Sequence, residues 1–264
     1  MTPRPRELGQ GCYNGFMRRT LPRFGASALL ALALVSPSFG QWLLDFENGL
    51  ALPGYNDVQA PRDTGTLFSL SEDLKIDPAY FFRVRAGYRW KDRHTLSLFA
   101  APFRLRAAGS VDREILFEGQ AFEANVPLVG TYKFDNYRLT YRYDFVRKGA
   151  WRVGAGLTAF IRDAAIALEG GGATAEKANV GFVPLLHFRV AWEFAGRWGA
   201  LLEGDAAAAK QGRAEDVLLA LRYRLGDRIA LKVGYRILEG GADVDEVYNF
   251  ALVHFLSAGV TASF

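Results

Sequence analysis

The chain has 264 residues, and 32 Lys and Arg against 28 Asp and Glu give a formal charge of +4. Half of the residues are hydrophobic and 14% are aromatic, which excludes a disordered chain, while the length suits one domain or at most two. A single Cys excludes a disulfide scaffold and a cysteine-based zinc site. The pI near 9.2 raises nucleic acid or an anionic membrane as a partner, and the location of the charge must decide between them.

Much of that charge sits at the start. Met17 to Arg23 is a short basic stretch, Ala26 to Val35 is an apolar run of about ten residues, and Ser38 and Gly40 are small. Basic, apolar, then small-x-small is the order of a secretory signal peptide cleaved before Gln41. About ten apolar residues are too few to span roughly 30 Å of hydrocarbon as an anchor. Residues 1–16 read as an extension upstream of a natural start at Met17. The organisation expected is therefore a signal peptide with its extension over 1–40 and one domain over 41–264. The leader holds five Arg and one Glu, so residues 41–264 carry 27 basic and 27 acidic residues, with no Cys and no Met. A balanced, exported chain is a poor nucleic-acid binder.

In 41–264 no apolar run reaches the length of a membrane helix. Hydrophobicity alternates instead. Tyr80, Phe82, Val84, Ala86, Tyr88 and Trp90 alternate with Arg83, Arg85 and Arg89. Tyr137, Leu139, Tyr141, Tyr143 and Phe145 alternate with Arg138, Arg142 and Asp144. Val217 to Tyr223 and Ile229 to Ile237 repeat the pattern. Period two is the strand signature, and the helical i, i+3, i+4 spacing is missing.

Ten strands are expected: about 42–52, 78–90, 95–107, 130–146, 150–166, 180–193, 198–209, 214–225, 228–238 and 247–264. Their connections alternate in length. Polar turns at 91–94, 147–149, 195–197 and 226–227 suit tight hairpins. Longer links fall at 53–77, 108–129, 167–179, 210–213 and 239–246. All short turns then lie on one side, the layout of an up-and-down transmembrane β-barrel with short periplasmic turns and longer outer loops. Alternating pieces inside 53–77 and 108–129 (Leu67 to Leu70, Ile115 to Phe117) read as projecting hairpins or extra strands, so eight or twelve strands remain alternatives. Glu169 to Ala173 reads as a flexible outer loop, and Gln211 to Asp216 as a tight charged turn at the rim. Pro102 and Pro184 fall inside strands, where a bulge is expected.

Trp42, Trp90, Trp151, Trp192 and Trp198 all fall at the chain start or beside the short turns, as in the aromatic girdle of a membrane interface. The opposite face collects charge, including Asp45, Glu47, Arg83, Arg85, Arg89, Arg152, Glu193, Asp216 and Lys232. An Arg at the lipid midplane costs about 2–4 kcal/mol, so in a membrane this face must point inward. The C-terminal strand, Leu256-Ser257-Ala258-Gly259-Val260-Thr261-Ala262-Ser263-Phe264, resembles the last strand of Gram-negative outer-membrane β-barrels, although Ala262 stands where that family more often has an aromatic. The chain is similar to small barrels of the OmpA-membrane-domain and OmpW-like superfamily. The resemblance implies residence in the bacterial outer membrane, contact with its lipid, and reading of the strand ending in Phe264 by the barrel-assembly machinery.

The inner face offers ligand-binding candidates: Arg138, Arg142, Arg162, His187, Arg189, Glu203, Asp205, Arg222, Arg224 and Arg236. Interlocked Arg–carboxylate pairs there fill and close the lumen. Asp45 and Glu47 are expected beside Arg83 and Arg85, and Glu203 and Asp205 between His187 and Arg189 on one side and Arg222 and Arg224 on the other. The alternative is an anion-binding cavity or porin-like pore, because basic residues exceed carboxylates on this face. An enzyme, lipid-modifying or a rim protease, is a third reading, but no catalytic set, metal site or cofactor motif is found. His94 lies on the periplasmic side, His187 inside the barrel and His254 at the outer interface. A soluble periplasmic barrel is the structural rival.

Overall fold

The computed structural model describes residues 40–264, so the expected signal peptide, Gly40 apart, lies outside the described residues. Fifteen strands follow in chain order. The first eight are β1 (Gly40–Gln59), β2 (Phe68–Ser69), β3 (Lys75–Ile76), β4 (Ala79–Trp90), β5 (His94–Ala101), β6 (Arg104–Gly109), β7 (Ile115–Phe117) and β8 (Gln120–Phe122). The rest are β9 (Leu128–Lys148), β10 (Trp151–Gly170), β11 (Ala173–Ala195), β12 (Trp198–Ala209), β13 (Gly212–Arg224), β14 (Ile229–Val244) and β15 (Val247–Ser263).

Ten of them form a closed antiparallel ring, in the order β1, β4, β5, β9, β10, β11, β12, β13, β14 and β15. Closure brings the first strand onto the last, from Leu43 opposite Ser263 to Gln59 opposite Tyr248. Trp42 and Phe264 exchange both backbone hydrogen bonds, at 3.1 and 3.0 Å. Closure leaves no edge within the wall, which a strand needs where no water can satisfy its backbone. The periplasmic turns are tight. In the first, Lys91 and Asp92 take φ of 46° and 61°, the paired left-handed conformations of a turn whose twist matches its strands.

The outward face is apolar and exposed: Leu98, Leu157, Phe182, Leu186 and Leu219 each show 60% or more of their surface. The inward face buries Glu47, Arg83, Arg138, Asp205, Asp216 and Arg236 to 5% or less. A water-soluble barrel has the reverse arrangement, and an apolar surface of this extent does not persist in water. The exterior is therefore built for lipid. On β11, Trp192 and Phe182 stand about ten residues apart, roughly 33 Å of strand and about 25 Å of membrane at a tilt near 40°. Just beyond that band outward polar groups begin, with Lys133 Nζ on Asp163 Oδ2 at 2.6 Å. At the other end Trp151 and Trp192 stack at 5.2 Å, Trp42 packs on Tyr88 and Trp198 on Tyr223. All five Trp thus share the periplasmic girdle.

Four expectations change. The link 167–179 is not a loop, because β10 and β11 stay paired to Gly170 opposite Ala173. The run from Glu169 to Ala173 is a tight hairpin tip, with Gly171 and Gly172 at φ of 57° and 83°. Likewise β14 and β15 pair to Val244 opposite Val247. Neither proline makes a bulge. Pro184 pairs with Ala159 in unbroken register, and β5 and β6 keep one register on β9 across Pro102. Each proline lies just past the last residue paired to its other neighbour, Leu186 on β12 and Ala100 on β4. The absent N–H is lost from an edge with no partner strand, where proline is tolerated.

The fourth change concerns the links 53–77 and 108–129, which neither project nor span. They fold over the outer mouth. Phe68, Leu70, Leu74 and Ile76, with Ile115 and Phe117 of β7 and Phe122 of β8, pack on the inward residues Phe81, Phe103, Leu128, Leu168, Val253 and Phe255. Aromatic edges meet there, Phe68 on Phe117 at 5.7 Å and Phe81 on Phe255 at 4.7 Å. Each such buried side chain contributes about 1.5–3 kcal/mol. The outer end of the barrel therefore carries a dry apolar cap.

Candidate functional site: the lumen

Beneath the cap lies a layer of buried charge. Asp216 on β13 accepts from Arg83 on β4 at 2.9 Å, Arg138 on β9 at 2.7 Å and Arg236 on β14 at 2.5 Å. Arg236 also donates Nε and Nη2 to Glu47, both at 2.8 Å, and Lys232 reaches Glu47 at 3.1 Å and Asp45 at 2.7 Å. Asp205 accepts from Arg138 at 2.8 Å, from the Thr158 hydroxyl at 2.6 Å and lies 2.9 Å from His187 Nδ1. Guanidinium groups rest on aromatic faces, Arg138 on Phe160 at 4.9 Å and Arg83 on Phe255 at 5.0 Å. Strands from opposite sides of the wall are tied together, and Glu47, Asp205 and Asp216 each meet more than one donor.

The expected neighbours are correct in part. Asp45 stands beside Arg85 and Glu47 beside Arg83, and His187 and Arg189 stand beside Asp205 and Glu203. On the other side, however, Glu203 faces Leu218 and Asp205 faces Asp216. Arg222 and Arg224 lie further toward the periplasm and share Glu193, at 3.0 and 3.6 Å. Two carboxylates facing each other on adjacent strands need a cation between them, and Arg138 fills that place. Few ion pairs join adjacent residues. Arg83 to Asp216 and Arg85 to Glu203 cross the lumen.

Below the ion layer the lumen opens into a chamber of about 410 Å³ at the periplasmic end. Nine arginines line it (85, 89, 142, 147, 152, 189, 222, 224 and 228), with Asp45, Glu193, Glu203 and Asp227 as the acidic residues. The ten candidates from sequence thus divide. Arg142, Arg189, Glu203, Arg222 and Arg224 line the chamber. Arg138, His187, Asp205 and Arg236 belong to the ion layer. Arg162 faces inward higher up, bonded to Asn179 at 2.7 Å, and takes part in neither. Arg85, Arg89 and Arg152 have the same inward parity but stood outside the candidate set. Arg147 and Arg228 lie at turns, where alternation gives no signal.

The histidines form no catalytic set. His94 stacks on Trp90 at 5.3 Å and contacts the Tyr141 hydroxyl at 2.8 Å. His254 bonds Tyr235 at 2.5 Å on the lipid-facing wall. His187 is enclosed in the ion layer. Among the described residues no group of His, Cys, Asp and Glu is arranged to hold a metal.

No family model matches the sequence, and no curated protein matches it. Solved structures do. The outer membrane protease OmpT from Escherichia coli aligns over 88% of this chain and 99% of its own, at 7% identity and a TM-score of 0.54. Neisserial surface protein A aligns over 85% and 97%, at 14% identity and 0.33. Ail, the attachment invasion locus protein of Yersinia pestis, aligns over 86% and 99%, at 9% identity and 0.37. Identities this low speak to the fold alone. The likeness to OmpT agrees with the closed ring of ten strands, which with the lipid-facing exterior makes this chain an integral β-barrel of the bacterial outer-membrane type.

Proposed function

We propose that this protein is a closed outer-membrane barrel that does not conduct, and whose working surfaces are its two ends. The observation that carries the reading is the ion layer centred on Asp216, in which three arginines from three strands meet one carboxylate beneath an apolar cap. A solute crossing would have to break several buried pairs at once, each costing about 3–5 kcal/mol to disrupt. The porin-like reading therefore gives way to the structural one. The anion-binding reading keeps its footing only in the periplasmic chamber. An enzymatic reading finds no support in the histidine environments.

Partners follow from the surface. The apolar wall and Trp girdle fit outer-membrane lipid, and the strand ending in Phe264 fits recognition by the barrel-assembly machinery during insertion. Reconstitution into planar bilayers in molar KCl tests closure. The wild type should show no steady conductance. A stable open level with defined ion selectivity would overturn the proposal.

A further inference from the structure

The periplasmic chamber holds more guanidinium than its carboxylates can neutralise, and the surplus follows a pattern. Three carboxylates are each divided between two arginines. Glu203 pairs with Arg85 and with Arg189 at 3.0 Å. Glu193 pairs with Arg222 at 3.0 Å and Arg224 at 3.6 Å. Asp144, fully buried and not itself lining the chamber, takes the lining residues Arg142 at 2.8 Å and Arg152 at 3.9 Å. Asp45 is engaged by Lys232. Among the described residues Arg89 has no carboxylate, and its side chain donates to Gln41 Oε1 at 3.2 Å. Arg89 Nε and Arg189 Nη1 are, among the described residues, buried donors without a hydrogen bond, and Asp144 Oδ2 and Glu193 Oε2 are buried acceptors without one, the latter two lying 3.9 and 3.6 Å from Arg152 and Arg224.

Like charges held together in a half-enclosed space cost free energy, and buried donors without acceptors add to it. A fold meets that cost where a ligand of opposite sign offsets it. Guanidinium presents a planar fork that matches phosphate oxygens two at a time. Arginines from β4, β9, β10, β11 and β13 converge on one space, so the fit is to several charged groups in a compact ligand.

We infer that the chamber is a binding site for a compact oligophosphate entering from the periplasm, with Arg89, Arg152 and Arg189 as its principal unsatisfied donors. The site goes beyond the closed-barrel reading and is independent of it, because a conducting barrel could hold the same anion. The enclosing strands leave the phosphate of a soluble molecule free to enter, while a phospholipid would have to bring its acyl chains past a charged rim.

The test uses the folded barrel in detergent and in nanodiscs, with binding read by isothermal titration calorimetry at constant ionic strength. Sodium tripolyphosphate should bind at least tenfold more tightly than inorganic phosphate. The double variant Arg89→Gln/Arg152→Gln should lose at least tenfold in tripolyphosphate affinity while keeping its heat-modifiable migration. Arg152→Gln alone, a partly exposed position, should lose severalfold, so the test stands if the double variant fails to fold. Arg113→Gln, at the outer end, should bind as the wild type does. Equal affinity for tripolyphosphate and phosphate would overturn the inference. So would variants at Arg89 and Arg152 that bind unchanged, or an equal loss in Arg113→Gln. Binding seen only in nanodiscs containing phosphatidylglycerol, and not to free tripolyphosphate, would assign the phosphate to lipid and overturn the soluble ligand.

Discussion

Asp216 is the position at which the ion layer is most open to test. It accepts from Arg83, Arg138 and Arg236 at 2.9, 2.7 and 2.5 Å, and its side chain is 2% exposed. In Asp216→Ala, Arg236 keeps Glu47 and Arg138 keeps Asp205. Arg83 loses its carboxylate and is left on the rings of Phe255 and Phe99, at 5.0 and 5.7 Å. Breaking a buried pair while stranding one partner costs about 3–5 kcal/mol. Those aromatic contacts exist with or without Asp216 and do not offset the change, so a loss of about 3–5 kcal/mol is expected. The stranded charge, rather than the lost bonds, should dominate. Replacing Arg83 by Met in the Asp216→Ala background should then recover at least half of the loss, a coupling of about 1.5 kcal/mol or more. Urea unfolding in lipid vesicles, followed by tryptophan fluorescence, measures all four corners of the cycle. A loss below about 1 kcal/mol in Asp216→Ala would refute the reasoning. So would a double variant less stable than the single one.

The outer links should show an acid dependence. Arg113 donates to both oxygens of Asp73 at 3.0 and 2.7 Å, and with the Ser69 amide holds that carboxyl below its ordinary value near 3.8. A carboxylate depressed by folding stabilises above its unfolded value, and that contribution is lost as pH falls through the folded one. Arg113→Gln should therefore be less stable than wild type at neutral pH, by at most about 1 kcal/mol for a pair this exposed. The two curves should converge as pH falls through the depressed carboxyl's range, and a difference that persists or grows in acid would count against the pair. Gly156 faces the lumen where a Cβ would meet the Tyr141 carbonyl and the Arg142 backbone. Gly156→Ala should cost about 1–3 kcal/mol in the same urea assay. With all five Trp in one girdle, lipids brominated near the headgroup should quench the fluorescence more than lipids brominated near the chain ends. The opposite order would misplace the barrel in the bilayer.

The wall of the barrel was legible because alternation is a local rule. In Tyr80 to Trp90 or Tyr137 to Phe145 every second residue declares its face, and ten strands follow with boundaries close to those observed at the short turns, while β1, β11 and β14 run six or seven residues further at the outer end. The same parity placed Arg138, His187, Asp205 and Arg236 inside. Their partners were not legible, because which residues meet across a lumen depends on the strand number and the stagger of the closed ring. Asp216 bonds arginines on β4, β9 and β14, and no spacing along the chain encodes that meeting. The cap was hidden for a related reason. Ile115 to Phe117 and Leu67 to Leu70 carry the signature of a strand in either case, and only the burial of Phe117 and Phe68 shows that they turn inward over the mouth.

The charge balance acquires a direction from this. Residues 41–264 are neutral in sum, at 27 against 27, yet the two signs are separated along the barrel axis. The outer links and hairpins are acidic in excess, with Asp63, Glu72, Glu118, Glu123, Asp243 and Glu246 beside Arg62, Lys75 and Arg113, while the chamber is basic in excess, with nine arginines against four acidic residues. A structural ion layer needs equal numbers of both signs, and around Asp205, Asp216 and Glu47 it has nearly that. Nine arginines line the chamber against four acidic residues, Glu203 and Glu193 are each divided between two of the arginines, and among the described residues Arg89 and Arg228 pair with no carboxylate. Closing the lumen does not require that excess. It burdens the folded barrel with repulsion that a neutral lining would avoid, so it calls for a separate cause, and an anion supplied from the periplasmic side is a sufficient one.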